Sequence, residues 1–170
     1  AWLKPHSYTD MEMVSFNAEE LEFAPVRDSR LRHVGPMLSA RPPANPADSG
    51  DESAWLRFAG TRDPQRPLIY CSLGSHWDTD LKLISAVLEV FRRREGWDLV
   101  LGLGHKTAVD SFDDVPPNVL LLGWAPQFDV LRQAAVALTH GGISSVNECI
   151  ANGVPMVGCS TNRVDQNGNV

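Results

Sequence analysis

Ala135-Val136-Ala137-Leu138-Thr139-His140-Gly141-Gly142-Ile143-Ser144-Ser145-Val146-Asn147-Glu148 reads as a short apolar strand, a two-glycine turn and the opening of a helix. Strand, tight turn and helix in succession make half of a parallel β–α–β unit, and that order decides the fold. The helix is predicted over 144–152. Gly153 stands just past its end, and Val154-Pro155-Met156-Val157-Gly158-Cys159 returns as a strand.

Outward from this unit the same alternation repeats. Leu68-Ile69-Tyr70-Cys71-Ser72-Leu73 is a near-continuous apolar run of strand length, which a sheet covered on both faces demands. Over 79–94, Leu81, Ile84, Val87, Leu88 and Phe91 recur at helical spacing. Arg92-Arg93-Arg94 in the last turn complements the helix dipole, and Gly96 is the stop. Strands are predicted over 97–102 and 118–123, and a short helix over 127–134. The fold class that follows is α/β: a Rossmann-like parallel sheet with right-handed crossovers and helices on both faces. Ligands of such sheets sit beyond the carboxyl ends of the strands, so chemistry is expected at the loops that begin at Gly74, Gly123 and His140.

The loop after Thr139 admits two readings. Two glycines ahead of a helix that begins with hydroxyl residues make an anion site of free N–H groups, each such contact contributing about 0.3–1 kcal/mol when exposed. Alternatively, Ser145-Val146-Asn147-Glu148 has capping-box spacing, with Ser145 and Glu148 satisfying each other's backbone donors. His140 is a ligand contact on the first reading and a hydrogen-bonded spacer on the second. The loop fits neither the Walker pattern, since no lysine follows the glycines, nor GxGxxG. Trp124, in Gly123-Trp124-Ala125-Pro126-Gln127, is either a flat platform for a base or a core indole. Asp165-Gln166, after the last strand, pairs a carboxylate with an amide suited to sugar hydroxyls, or is plain surface.

Composition narrows the partners. The chain has 170 residues with 15 Lys+Arg against 21 Asp+Glu, a formal charge of -6, which works against a duplex-binding field. Nucleic acid is therefore not an expected partner. With 43% hydrophobic and 21% charged residues, a real core is expected. No run approaches the roughly 20 apolar residues of a membrane span. The first residues, Ala1-Trp2-Leu3-Lys4-Pro5-His6, lack the features of a signal peptide, so the expected location is cytoplasmic. Cys71, Cys149 and Cys159 are few, widely spaced and set in apolar stretches, as buried thiols rather than a disulfide frame or zinc site.

Three regions are expected. Residues 1–40 hold short apolar pieces too few to bury a core. Residues 41–66, opening with the Pro-, Gly- and acid-rich run 41–52, form a linker and leading segment, and 67–170 form the regular domain. A start at Ala1 and the polar end Asp165-Gln166-Asn167-Gly168-Asn169-Val170 lead to the expectation of a fragment, truncated before its last elements.

Taken in order, Trp124-Ala125-Pro126-Gln127, Thr139-His140-Gly141-Gly142, Ser145, Glu148, Gly153-Val154-Pro155-Met156 and Asp165-Gln166 resemble the donor-binding motif of the UDP-glycosyltransferase superfamily. These are GT-B-fold enzymes acting on small-molecule acceptors. Tyr70-Cys71-Ser72-Leu73-Gly74-Ser75 is similar to the first strand and loop of their donor domain, and Val34-Gly35-Pro36 to their interdomain connection. The resemblance covers residues 21–170 and is strong from Leu68 onward.

The resemblance implies that 67–170 is the carboxyl-terminal, nucleotide-sugar-binding domain and 1–40 a remnant of the amino-terminal acceptor domain. Carried over by position, Trp124 stacks on the nucleobase while Ala125 and Gln127 meet its edge or the ribose. Glu148 accepts from the ribose hydroxyls, and His140, Gly142 and Ser145, with Ser75, hold the diphosphate. Asp165 and Gln166 contact the transferred sugar. The donor is a UDP- or dTDP-sugar, no metal or other cofactor is expected, and transfer inverts the anomeric centre. The acceptor is a small molecule bound through the missing amino-terminal domain.

This sequence departs from the family pattern in places. Ile143-Ser144 stand where plant members carry Trp-Asn, and one extra residue separates Glu148 from Asp165 relative to their usual spacing, so both departures fall next to the expected sugar contacts. No histidine matches the family's catalytic base, so the catalytic residue is unassigned and the 170-residue chain alone is expected to bind donor without transferring sugar. Other readings stay open: a non-catalytic subunit of a split glycosyltransferase, a nucleotide-sugar epimerase, against which the Trp124-Ala125-Pro126-Gln127 run counts, and a plain α/β scaffold.

Overall fold

The structure, a computed structural model, describes residues 11–16, 19–21, 30–36, 38, 49–74, 81–104 and 107–159. The chain divides into two units, Ala1–Leu38 and Ser39–Val170. In the first, β1 (Met13–Ser15) pairs in parallel with β2 (Leu31–His33), and a 3-10 turn spans Glu19–Leu21. Met11, Val14, Phe16 and Val34 stay more than half exposed there, in keeping with too little apolar chain to close a core.

The second unit is built on a five-stranded sheet, all parallel, in the order β5-β4-β3-β6-β7. Its strands are β3 (Leu68–Ser72), β4 (Asp98–Gly102), β5 (Val119–Leu122), β6 (Val136–Thr139) and β7 (Met156–Gly158). The chain winds outward from β3 to β5, then crosses back to lay β6 against the other edge of β3, with Ile69 opposite Val136 and Ser72 opposite Thr139. The direction of winding therefore reverses between β3 and β6, the place where an open parallel sheet leaves a crevice beyond its carboxyl ends.

Alternation along β3 sends side chains to both faces. Leu68 and Tyr70 join Trp55, Val100, Leu122, Val130, Leu131 and Cys149 in one core cluster. Ile69 and Cys71 join Ile84, Leu88, Phe91, Leu99 and Leu101 in the other. The first cluster is covered by α1 (Ser49–Thr61), α3 (Gln127–Leu131) and α4 (Ile143–Ala151), and the second by α2 (Leu81–Arg92). Helices thus cover both faces, and the α/β parallel architecture expected from the strand-helix alternation is the one observed. Among the described residues no helix is long and apolar enough to cross a membrane.

Where the sequence predicts a linker and leading segment over 41–66, the structure has a 13-residue helix, α1. Trp55, only 2% exposed, is its anchor in the core, with Ala54, Phe58 and Ala59 packed beside it. Its first turn holds Asp51 and Glu52, whose charge suits a helix N-terminus. The acids and Gly50 that suggest a loop by composition are the opening turn of a core helix. Residues 41–48 lie outside the described residues.

Beyond the end of α1, Arg62 Nε bonds Asp98 Oδ2 at 3.0 Å, both side chains nearly buried, and ties the segment to the start of β4. Arg92 and Arg93 pair with Glu89 rather than acting only on the helix dipole. Gly153 takes a left-handed conformation, φ 66°, as its place past α4 predicts, and the Val154 N–H returns to the Cys149 carbonyl at 2.9 Å. Cys71 and Cys149 are buried and Cys159 half-buried. Burial pushes the Cys71 thiol up to about 12 and the Cys149 thiol to about 11, which leaves both protonated and inert.

Candidate functional site

Three loops meet the carboxyl edge of the sheet. After β6 the chain turns at Gly141, whose φ of 83° is the left-handed region that suits glycine, and its N–H donates to Thr139 Oγ1 at 3.2 Å. Gly142 has an ordinary φ of −63° and is glycine for a different reason: a Cβ there would lie 2.6 Å from His140 Nε2. A Cβ on Gly74, after β3, would lie 3.1 Å from the same nitrogen. The imidazole is therefore seated against two bare backbones, and its Nδ1 is 3.4 Å from the Ser72 carbonyl oxygen. His140 has the spacer contact of the second sequence reading, while its ring borders the turn at the head of α4.

Gly142 is the N-cap of α4 and no side chain caps that end. Ser145 is the third residue of the helix, so the capping box expected as one reading of Ser145 and Glu148 does not form. The helix begins at Ile143, one residue earlier than predicted, whereas Ser145 as a cap would need it to begin at Val146. By helix geometry the amides of Ile143, Ser144 and Ser145 have no carbonyl of their own helix to bond.

The run 124–127 follows β5. Trp124 is 41% exposed, which overturns its reading as a core tryptophan. Its backbone N–H donates to Asp51 Oδ2 at 2.6 Å, so the first turn of α1 holds the loop that carries it. Ala125 packs on the core cluster containing Tyr70. Gln127 opens α3 and joins the two halves of the motif: its Nε2 donates to Glu148 Oε2 at 2.7 Å and to Ser145 Oγ at 3.3 Å. From β3 the Tyr70 hydroxyl donates to Gln127 Oε1 at 2.9 Å. Partial burial lifts the Glu148 carboxyl above the usual carboxylate range, the Gln127 hydrogen bond pulling the other way. Burial likewise raises Tyr70, which stays a neutral donor.

The profile of the family described as UDP-glucoronosyl and UDP-glucosyl transferase matches residues 106–170. The chain is 33% identical over 122 residues to an oleandomycin glycosyltransferase of Streptomyces antibioticus, covering 72% of this chain and 27% of that protein. It is also 33% identical over 130 residues to the NDP-glycosyltransferase YjiC of Bacillus licheniformis, covering 76% and 30%. Among solved structures it superposes on the glycosyltransferase of kitacinnamycin with TM-score 0.73 and 30% identity, over 93% of this chain and 38% of that one. The chain belongs to the UDP-glycosyltransferase superfamily.

The aligned stretches span 27% and 30% of the lengths of those two curated relatives. In this UDP-glycosyltransferase chain the fold is that of the GT-B structures it matches. Of the residues expected at the site, Gln127 bonds both Ser145 and Glu148, while Trp124, Ala125, His140 and Gly142 lie on the loops that lead into their helices. Ser75, Asp165 and Gln166 lie outside the described residues, as does His76. Tyr70 and Asp51 were not foreseen as part of the site. A tyrosine in a buried strand needs a partner for its hydroxyl, which is the one signal that pointed to Tyr70. Asp51 sits in a run that reads as linker and carried none.

Proposed function

We propose that this chain is the donor-binding part of an inverting glycosyltransferase that moves a sugar from a UDP- or dTDP-sugar to a small-molecule acceptor. The observation that carries the reading is the contact of Gln127 with both Ser145 and Glu148, which joins the run 124–127 after β5 to the first turns of α4 after β6. The exposed Trp124 suits stacking on a pyrimidine, a contact that contributes about 1–3 kcal/mol where truncation measures it. Ala125 and Gln127 meet the base edge or ribose, and Glu148 accepts from the ribose hydroxyls. The head of α4 with His140, Gly142 and Ser145, joined by Ser75, holds the diphosphate, and Asp165 and Gln166 take the sugar.

In such a site the protein's work is to stabilise charge on the departing nucleoside diphosphate, using amides and hydroxyls already aimed at it. The helix dipole and His140 supply that stabilisation in our reading, with no metal assigned a part. The whole protein's acceptor is a small molecule, as the names of its relatives suggest. Titration with UDP and with dTDP, followed by tryptophan fluorescence, tests the reading. Saturable quenching that Trp124→Ala abolishes and His140→Ala weakens about tenfold, the scale of one hydrogen bond to a charged group, supports it. Absence of any saturable response to either nucleotide would overturn it.

A further inference from the structure

The Gln127 carboxamide stands between groups of opposite need. Tyr70, 3% exposed, donates to its oxygen, and its nitrogen donates to the Glu148 carboxylate and the Ser145 hydroxyl. A carboxamide has nearly the same shape when turned over, but here the two orientations are not equivalent. Reversed, its carbonyl would face a carboxylate that can only accept. Glu148 therefore fixes which end of the amide faces α4, and the Tyr70 hydroxyl, which tolerates either end, donates to the oxygen and anchors the side chain in that place.

The orientation has consequences at both recipients. Ser145 Oγ, already accepting from Gln127, keeps its proton for another acceptor. Glu148, with Oε2 taken by Gln127, keeps the lone pairs of Oε1 for other donors. One helix face thus offers a hydroxyl donor and, three residues on, a carboxylate acceptor. Phosphate oxygens need the first and a ring diol needs the second.

We propose that Tyr70 and Gln127 are positioning residues that set the polarity of this pair, so that the Tyr70–Gln127 hydrogen bond determines selectivity for ribose over deoxyribose in the nucleotide. The proposal rests on the nucleotide-sugar reading above and deepens it. Tyr70 acts through Gln127 and touches no ligand. Gln127 acts mainly by holding Glu148 and Ser145, which adds to the direct contact expected from its place in the motif.

The test is calorimetric titration of the full chain with UDP and with 2′-deoxyuridine diphosphate, which differ only at one hydroxyl. Wild type should prefer UDP by about tenfold, the scale of one hydrogen bond to a carboxylate. Tyr70→Phe should reduce the preference to about twofold, mostly by weakening UDP, since a loosened Glu148 no longer favours the diol. A merely structural tyrosine would weaken both nucleotides alike and leave the ratio unchanged, which overturns the proposal. Gln127→Met, at a half-buried position, covers the case in which Tyr70→Phe melts early, and it should lose the preference too. Wild type that binds both nucleotides equally overturns the proposal while the nucleotide reading stands. Wild type that binds neither overturns both.

Discussion

Gly142 is held to glycine by its neighbour rather than by its backbone. Its φ is one any residue adopts, but an added Cβ would meet His140 Nε2 at 2.6 Å. Gly142→Ala should therefore cost about 1–3 kcal/mol, the range for overpacking. The double variant Gly142→Ala, His140→Ala should recover most of that loss in thermal melting, and additive losses would refute the contact. Glu148 offers a second check at this scale. Its folded-state pKa lies above the ordinary 4.5, burial being the first cause. The folded chain thus binds a proton more readily than the unfolded one, and Glu148 favours folding more as pH falls through the window above 4.5. Binding runs the other way, because a protonated carboxyl accepts poorly from a diol. UDP affinity should fall on the acid side at a pH above 4.5, and Glu148→Gln should bind UDP more weakly while lacking that component of the pH dependence.

At the scale of elements, α1 is held at two places. Its first turn accepts the Trp124 amide through Asp51, and just past its end Arg62 enters a nearly buried pair with Asp98. Removing one member of a buried pair leaves the other charge uncompensated. Asp98→Ala should destabilise the chain by about 3–5 kcal/mol in urea denaturation. A loss below about 1 kcal/mol, the scale of an exposed pair, would show that water reaches Arg62 freely. This helix was illegible in the sequence because its opening residues, Ser49-Gly50-Asp51-Glu52, continue a run of prolines and acids, and its buried side includes alanines as well as Trp55 and Phe58. By contrast α2 was plain, since Ile84, Leu88 and Phe91 mark one buried stripe at helical spacing. The capping-box reading of Ser145 starts α4 at Val146, three residues after the observed Ile143. Hydroxyl residues near a helix start do not say which of them is the cap.

For the molecule as a whole, the ligand expected at the head of α4 draws on groups that follow β5 as well as β6, so binding should brace the sheet as a unit. UDP at one hundred times its dissociation constant should add about 2.7 kcal/mol to stability, read as a rise in melting temperature, and an unmoved melting curve at saturation would contradict it. The parallel sheet was legible because runs such as Leu68 to Cys71 and Leu99 to Leu101 are apolar at every position, the mark of strands buried on both faces. Strand order was not legible in the same way, as nothing in the run from Val136 to Thr139 states that its neighbour is β3 rather than β5. The Tyr70–Gln127–Glu148 chain was hidden for the same cause: its members are far apart in sequence and meet only once the crossover is made.

That crossover also bears on how a nascent chain matures. β3, β4 and β5 leave the ribosome in succession and can pair as they emerge, but the other edge of β3 waits for β6, with Ile69 meeting Val136 only after the intervening strands are made. Until then a row of unpaired amides and carbonyls lies along the middle of the future sheet, open to strands of other chains. Slow synthesis through residues 120–135 would lengthen that exposure, and a chaperone that shields strand edges would act on this protein during that interval.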